Sequence, residues 1–432
     1  MTALSAGPAG RVVAAELETA ATRSWKTPII LTCFTVIAGV LFVGFAGSGS
    51  AEFRLSPSGD SWQLPVLVLA GRPVGFVVFL ILFGITVASF ILSGRKHRTP
   101  IWLVAIFIAA FLIGFLTWAA SAAQTHVIPL AGLLAGALSL SVPLIFGSLA
   151  GVIGERVGVV NIAIEGQLLF GAFSSAVVGS ITHSAWAGLF AAAVAGVLVG
   201  MTLAVFSIKY FVDQVIIGVV LNVLVVGLTS FLYSELLAPN AATLNTPPRF
   251  EVWEIPGLSQ IPLLGPMLFR QTAIVYIAYI AVFAVWWGLY RTRWGLRLRA
   301  VGEHPTAADT VGINVNRTRF WNVSLAGAIS GTGGAFFTLG SVGAFGQEMT
   351  AGAGYIALAA VIFGRWDPIR AALAALLFGF TTNLQNTLSI IGSPVPSEFM
   401  LMLPYVVTIL AVAGFVGQSR GPAAAGKPYI KS

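Results

Sequence analysis

The sequence predicts an all-α integral membrane protein, and three observations lead to that fold class. The chain is 57% hydrophobic and only 9% charged, whereas soluble domains carry about 25% charged residues. Its 48 glycines suit membrane helices, because small residues let backbones approach closely. Apolar runs long enough to cross a bilayer recur along the chain. The charges lie in short clusters between these runs rather than in a basic stripe with aromatics, so nucleic-acid binding is not indicated.

A membrane-spanning helix needs about 20 mostly apolar residues, and we identify twelve candidate segments. They are roughly residues 28–47, 74–93, 101–120, 128–152, 159–180, 186–206, 215–237, 272–290, 322–343, 352–364, 371–391 and 399–417. The tenth is too short to cross as a straight helix, so we expect it to be re-entrant or broken.

The basic residues predict how these segments are oriented. When the N-terminus is placed in the cytoplasm and the sides alternate, nearly all of the 23 Lys and Arg residues fall inside, as the positive-inside rule requires. Only Arg54, Arg72, Arg249 and Arg270 remain outside. We therefore expect twelve crossings or near-crossings, with both termini in the cytoplasm as mobile tails (1–27 and 419–432).

The fifth segment carries polar residues within an apolar run. Asn161, Glu165 and Gln167 lie in "NIAIEGQLL". A carboxyl group at that depth costs about 2.5–3.5 kcal/mol on insertion scales and marks a candidate functional site. The pattern predicts a discontinuous helix whose freed backbone lines a cavity or is bonded by its neighbours. Two interpretations of Glu165 stay open: it contacts the solute, or it holds the break in shape by bonding backbone amides.

The eleventh segment contains a second polar cluster, "TTNLQNTLS". Asn383 and Asn386 are three residues apart and share a helix face, with Gln385 between them. Neutral amides would suit a neutral polyol or a nucleobase, although hydrogen bonding between helices explains them equally well. Asn222 is an isolated polar residue in the first half of the seventh segment, and we expect its role to be structural.

The longest cytoplasmic loop contains "GEHPTAADTVGI", residues 302–313. Pro305 suits the first turn of a helix and Gly312 suits its C-terminal end, so the pattern predicts a helix of about two turns. A helix this short is marginal in water, and it must pack on its own bundle or on a partner. An ordinary connector is the alternative.

The sequence predicts no cofactor or metal site in this chain. "GPAAAGKP", residues 421–428, fits the first seven positions of a phosphate-binding P-loop. Pro428, however, stands where Ser or Thr must hold Mg²⁺, and the required strand and helix are not predicted around it. If ATP and Mg²⁺ are used, a partner chain must bind them.

Three blocks of the sequence together resemble one protein family. Residues 292–319, "TRWGLRLRAVGEHPTAADTVGINVNRTR", are similar to a loop of the form T-R-x-G-x-x-x-R-A-x-G-x-N/H-P-x-A-A-x-x-x-G-I. Residues 154–173, "GERVGVVNIAIEGQLLFGAF", resemble S-E-R-x-G-V-x-N-I-G-x-E-G, with Gly154 and Ala163 replacing a serine and a glycine. Residues 352–379, "GAGYIALAAVIFGRWDPIRAALAALLFG", resemble a block near the family's C-terminal end. The family comprises permease subunits of ATP-binding-cassette importers for nucleosides, simple sugars and branched-chain amino acids, and the second block is most similar to its nucleoside branch.

The resemblance implies a division of the chain. It covers about residues 128–418, which would form a type II importer-like permease core with a cytoplasmic coupling loop at 291–321. Residues 28–127 would be a three-span N-terminal extension of unassigned role. The implied partners are two ATPase subunits, a second, homologous permease subunit that makes a heterodimer, a substrate-binding lipoprotein outside and membrane lipid. The implied location is the cell membrane of a prokaryote.

The resemblance also implies roles for the singled-out residues. In such importers the coupling loop seats a short helix in a groove of the ATPase. The expected coupling residues are Arg299, Gly302, Glu303, Pro305, Ala308, Asp309 and Gly312. The expected substrate path holds Asn161, Glu165, Gln167, Asn383, Gln385 and Asn386.

The expected function is therefore a permease subunit for nucleosides or a related simple sugar, which is not itself an enzyme. A secondary transporter driven by H⁺ or Na⁺ is the rival interpretation. The shortage of intramembrane acids disfavours it, because Glu165 alone is a poor proton relay.

Overall fold

The structure is a computed structural model that describes residues 25–57, 62–97, 99–396, 398–400, 402 and 421–430. Among these residues, nine helices are long and apolar enough to cross a membrane. This finding confirms the predicted all-α membrane fold class. The described chain divides into two compact units, which are taken in turn below.

Among the described residues, the first unit comprises 25–53, 66–97, 99–128 and 388–396. Its helices and strands are α1 (Lys26–Ala38, continued by a π-helical turn Gly39–Gly44), β1 (Ser50–Arg54), β2 (Leu67–Ala70), α2 (Gly71–Gly94), α3 (Ile101–Ser121) and β3 (Val127–Pro129). The strands form a sheet in the order β2-β1-β3, and Ser50 of β1 pairs antiparallel with Ala70 of β2. Only about a third of each helix is buried within the protein, so the remaining apolar surface suits contact with lipid.

Among the described residues, the second unit comprises 54–57, 62–65, 129–387, 398–400, 402 and 421–430. Its helices are α4 (Leu130–Arg156), α5 (Ile164–Thr182), α6 (Ala185–Ala204, with a π-turn Val205–Lys209), α7 (Gln214–Leu232, with Tyr233–Leu237), α8 (Ala241–Leu244), α9 (Ala273–Arg291), α10 (Arg293–Glu303), α11 (Pro305–Thr310), α12 (Val315–Ala335, with Phe336–Val342), α13 (Ala353–Phe363) and α14 (Pro368–Ile390). Two short strands, β4 (Val252–Glu254) and β5 (Arg270–Thr272), pair antiparallel in the loop between α8 and α9.

The centre of the second unit is formed by α4, α5 and α12. Between 61% and 72% of these three helices is buried, against 33% of α7 and 39% of α9. Glycines bring α6 and α12 into backbone contact: a Cβ on Gly196 would overlap the carbonyl oxygen of Gly327, and one on Gly331 would overlap that of Ala192. Close approach through small residues is a common way of packing helices in membranes. This rigid centre holds the polar residues described below.

The first eleven predicted segments each correspond to a helix of the structure, although some ends differ. The tenth is α13, whose 11 residues are too few to span a bilayer, as expected. The fifth does not begin as a helix at residue 159, because α5 begins at Ile164. The eleventh is α14, which is not among the nine apolar helices because it contains a polar stretch. The twelfth, 399–417, lies almost entirely outside the described residues, so the count of twelve stays a prediction.

Candidate functional site

The predicted discontinuous helix is a break between α4 and α5, at residues 157–163. Gly158 ends α4 with a φ of +94°, a conformation that favours glycine. The break precedes Glu165, which lies in the first turn of α5. Backbone groups freed at such a break must find partners inside the protein, since lipid offers none.

Side chains of α7 supply those partners. The Gln214 side chain accepts a hydrogen bond from the Val160 amide at 2.7 Å. Asn222 accepts from the Gly166 amide at 2.8 Å and donates to the Ile162 carbonyl at 2.9 Å. Asn222 is therefore structural, as expected, whereas Gln214 is a residue that sequence reasoning missed. The only signal in the sequence was its position, one residue before the predicted seventh segment.

Glu165 is held by the start of α13. One carboxylate oxygen accepts from the Thr350 hydroxyl at 2.6 Å and from the Gly352 amide at 2.9 Å, and the other accepts from the Gly354 amide at 2.6 Å. A Cβ on Gly354 would overlap the Glu165 backbone, so glycine permits this approach. A carboxylate at a helix N-terminus binds amides that have no partner within the helix and also interacts favourably with the helix dipole. The geometry supports the interpretation in which Glu165 holds the break in shape.

Asn161 and Gln167 bond to each other across the break. Asn161 Nδ2 donates to Gln167 Oε1 at 3.1 Å, and Gln167 Nε2 donates to Asn161 Oδ1 at 3.3 Å. Both side chains are fully buried. Each amide thus has a partner within the protein, and a solute would have to displace that partner to bind here.

The polar residues of α14 form a separate group. Asn383 donates to the Leu133 carbonyl of α4 at 2.7 Å, which is the interhelical bonding that the sequence left open. Gln385 is half-buried and Asn386 is exposed. Within the described residues neither makes a side-chain hydrogen bond, and none joins this group to the residues at the helix break. The six path residues therefore fall into two groups, and the amides of Gln385 and Asn386 are the ones open to a solute.

An apolar groove lies on the other side of α14. It has a volume of about 270 Å³. Its lining is entirely apolar and consists of Leu134, Ala137, Met267, Leu373, Leu376, Leu377 and Phe380. Such a lining suits a lipid chain rather than a polar solute.

The coupling loop contains the predicted short helix. α11 begins at Pro305 and ends at Thr310, and Gly312 follows with a φ of +85°. A second helix, α10, precedes it and is capped by the Thr292 hydroxyl, which accepts from the Gly295 amide at 3.2 Å. The pattern of proline at the start and glycine after the end therefore identified α11 correctly.

Three of the expected coupling residues face the protein itself. Ala308 is only 3% exposed, and a Cβ on Gly302 would overlap the Arg156 carbonyl at the end of α4. The Arg299 guanidinium lies 5.4 Å from the centre of the Tyr290 ring, within the range of a cation–π contact. Ala308, although expected among the coupling residues, packs its methyl group into the bundle and does not present it to a partner.

Other side chains present the outward face of the loop. Val311 is 74% exposed, and Thr306, Ala307 and Thr310 are exposed on α11. Among the expected coupling residues, Glu303 and Gly312 are exposed and Pro305 and Asp309 are half-buried. The surface that a partner could touch is thus centred on residues 306, 307, 310 and 311.

The C-terminal segment, residues 421–430, is packed against this loop. The Ala424 amide donates to the Gly302 carbonyl at 2.9 Å, and the Ala423 amide donates to a Glu303 carboxylate oxygen at 3.3 Å. Burial, and then the nearby Asp309 carboxylate, raise the pKa of Tyr429. The expectation of a mobile tail is therefore wrong for these residues. Turns occupy residues 423–426 where a P-loop would need a strand and a helix.

Comparison with known proteins places this arrangement in context. The chain is 42% identical over 307 residues to the guanosine ABC transporter permease protein NupQ of Bacillus subtilis, a match that covers 68% of this chain and 95% of NupQ. It is 39% identical over 315 residues to the nucleoside ABC transporter permease protein NupC of Lactococcus lactis, covering 69% and 97% of the two chains. A putative glucose ABC transporter permease of Haloferax volcanii, TsgC13, is 35% identical over 285 residues, covering 65% and 85%. No solved structure matches.

The family pattern described as branched-chain amino acid transport system, permease component, matches residues 133–412. The match begins within α4, so that α1–α3 precede it, and it includes the helix break, the coupling loop and α14. The chain belongs to the family of branched-chain amino acid transport system permease components.

Proposed function

We propose that this protein is the transmembrane permease subunit of an ATP-driven importer and forms the translocation path for nucleosides. The similarity to NupQ and NupC over nearly their whole lengths carries this proposal. The glucose permease relative makes a simple sugar the second candidate. Neutral amides, such as those of Gln385 and Asn386, suit the hydroxyl and base groups of either solute.

The solute path runs along the polar face of α14. Gln385 and Asn386 are its main contacts, because their amides have no partner within the described residues. Asn161, Glu165 and Gln167 belong to the path as residues that hold the helix break in shape, since their polar atoms bond within the protein.

Two separate ATPase subunits drive the cycle and bind the ATP and Mg²⁺. Each docks on a coupling loop, where residues 306, 307, 310 and 311 supply the outward face and Glu303 supplies charge at the rim. Rim charges contribute to orientation and rate of docking more than to affinity.

The complex also contains a second permease subunit and a substrate-binding lipoprotein outside the membrane. Bacillus subtilis has a second guanosine permease, NupP, to which this chain is only 27% identical. This chain would therefore pair with a NupP-like subunit rather than with itself. The protein would lie in the cell membrane of a prokaryote, with both termini cytoplasmic.

A competition assay tests the proposed solute. Cells that lack other nucleoside importers are given this chain together with its partner subunits, and uptake of radiolabelled guanosine is measured. We expect excess inosine or adenosine to abolish the uptake and excess glucose to leave it unchanged. Uptake of labelled glucose that nucleosides do not inhibit would instead identify a sugar permease.

A further inference from the structure

The C-terminal segment, residues 421–430, contacts the coupling loop near both of its own ends. Near its start, the amides of Ala423 and Ala424 bond to Glu303 and Gly302, at the end of α10. Near its end, the Tyr429 side chain is only 8% exposed and belongs to the same buried apolar cluster as Ala308 of α11. The segment therefore spans the joint between the two helices of the loop.

The same segment is tied to the membrane helices. Arg319 of α12, which is 2% exposed, donates from Nη1 to the Lys427 carbonyl at 2.9 Å. Its Nε and Nη2 atoms have no hydrogen-bond partner within the described residues. Among those residues, the Lys427 carbonyl is therefore the acceptor on which this buried guanidinium depends. A buried charge that loses its partner is strongly destabilising, and the segment is thus held to α12 by more than surface contact.

A third contact lies at the turn between α13 and α14. A Cβ on Gly421 would stand 3.0 Å from the Trp366 ring, so the start of the segment rests on that ring. Gly158, in the helix break, lies between Arg319 and the Ala424 carbonyl, where a Cβ would be 2.8 Å from the guanidinium and 3.3 Å from the oxygen. The segment therefore reaches the helix break as well.

The segment has a defined shape of its own. Turns are closed by the Ala425 amide on the Pro422 carbonyl at 3.1 Å and by the Lys427 amide on the Ala424 carbonyl at 3.2 Å. Gly426 has a φ of +76°. The Ala424 and Tyr429 side chains are buried, whereas Ile430 is 71% exposed. The buried side chains and the bonded amides face the loop and the bundle.

We propose that residues 421–430 are a brace that fixes the coupling loop to α12 and to the α13–α14 turn, so that the loop moves with the bundle as one body. A helix as short as α11 holds little stability by itself, and it passes on a rigid-body shift only when it is firmly attached. The brace supplies that attachment. This inference rests on the proposed function, in which the loop receives a motion from an ATPase.

The test uses the complete importer in proteoliposomes, with three variants of this chain. One ends at residue 420, the second is Tyr429→Phe, which removes only the hydroxyl near the Asp309 carboxylate, and the third is the control Ile430→Ser. Two quantities are measured on the importer: the amount of ATPase that co-purifies and the ATP hydrolysed per guanosine imported. The third quantity, hydrogen exchange of the loop amides of His304, Ala308 and Ile313, is measured on the purified permease.

For the truncated chain we expect the ATPase to remain bound, while ATP hydrolysed per guanosine rises about fivefold or more, within the usual range of coupling energies. The loop amides of the truncated chain should also exchange faster. Tyr429→Phe should raise the ATP-to-guanosine ratio and the exchange rates by less. Ile430→Ser should match the unaltered chain. Unchanged ratios and exchange rates in the truncated chain would overturn the brace. So would loss of the ATPase from both the truncated chain and Ile430→Ser, since the segment would then be a partner contact.

The exchange measurement also separates this inference from the proposed function. It is made on the purified permease without partners. If the unaltered complex imported no guanosine, the proposed function would fail, yet the exchange rates would still decide whether the segment holds the loop.

Discussion

At the scale of single residues, small side chains in the coupling loop have opposite roles. Ala307 is exposed on α11, whereas its neighbour Ala308 packs into the bundle. Sequence alone does not separate them, because both are alanines in a helix too short to show a clear hydrophobic periodicity. Their burial distinguishes a partner surface from a core position.

We therefore expect different consequences from the same substitution at these two positions. Ala307→Trp should abolish co-purification of the ATPase and leave the detergent-solubilised permease as stable as before, because the new ring meets only the partner. Ala308→Trp should lower the stability of the permease itself by about 1–3 kcal/mol or more, the usual cost of overpacking. Thermal unfolding and co-purification are measured on each variant. Equal behaviour of the two variants would show that the outward face is assigned wrongly.

Glu165 is expected to act through stability. Glu165→Gln replaces one of the two acceptor oxygens that the α13 amides and Thr350 use, and a lost bond to a charged group costs about 1.5–3 kcal/mol. The thermal midpoint of the purified permease should fall accordingly. A variant with unchanged stability but a much higher guanosine concentration for half-maximal uptake would instead place Glu165 in direct contact with the solute.

For Asn386 we expect a substitution to change guanosine uptake and to leave the stability of the permease unchanged. Asn386→Leu keeps nearly the same volume and removes an exposed amide that bonds to nothing within the described residues, so the fold should tolerate it. Guanosine uptake should fall about 2- to 10-fold if the amide makes a solute hydrogen bond, since one such neutral bond is worth about 0.5–1.5 kcal/mol and 1.4 kcal/mol corresponds to tenfold. Asn383→Leu is the comparison, and it should also reduce stability because Asn383 bonds to α4. Full uptake by Asn386→Leu would move the path elsewhere.

At the scale of helices, the sequence predicts local features well and remote partners poorly. Pro305 and Gly312 sufficed to place α11, because helix ends depend on nearby residues. The need for partners at the helix break was also visible in "NIAIEGQLL". The partners themselves were not, since Gln214 and Thr350 lie 54 and 185 residues away from the groups they bond, and only the packing of α5 against α7 and α13 brings them there. The docked C-terminal segment escaped prediction for the same reason.

The contact between α6 and α12 gives a test at this scale. Gly327→Ala should strongly destabilise the bundle, because its Cβ would overlap the Gly196 carbonyl. The control is Gly227→Ala in α7, where a Cβ meets nothing within 4 Å and where alanine favours the helix by about 0.5–1 kcal/mol. Thermal unfolding of the two purified variants should therefore shift in opposite directions. A harmless Gly327→Ala would contradict the close packing of these helices.

At the scale of the whole molecule, the fold class followed from composition and the length of the apolar runs. The division into an extension and a core at about residue 128 stays a prediction, as does the number of crossings, because residues 403–420 lie outside the part of the chain that the structure describes. The sequence of this chain alone does not determine the transported solute or the partner subunits, because groups on other chains contribute to both.

The central claim is that this chain moves its solute only when a separate ATPase hydrolyses ATP, and one reconstitution tests it most directly. Proteoliposomes are prepared with the complete importer, with the importer carrying an ATPase that binds but does not hydrolyse ATP, and with this chain alone. We predict that guanosine accumulates against its gradient only in the first preparation, and only with ATP present. Concentrative uptake by this chain alone, driven by an imposed proton or sodium gradient, would contradict the account.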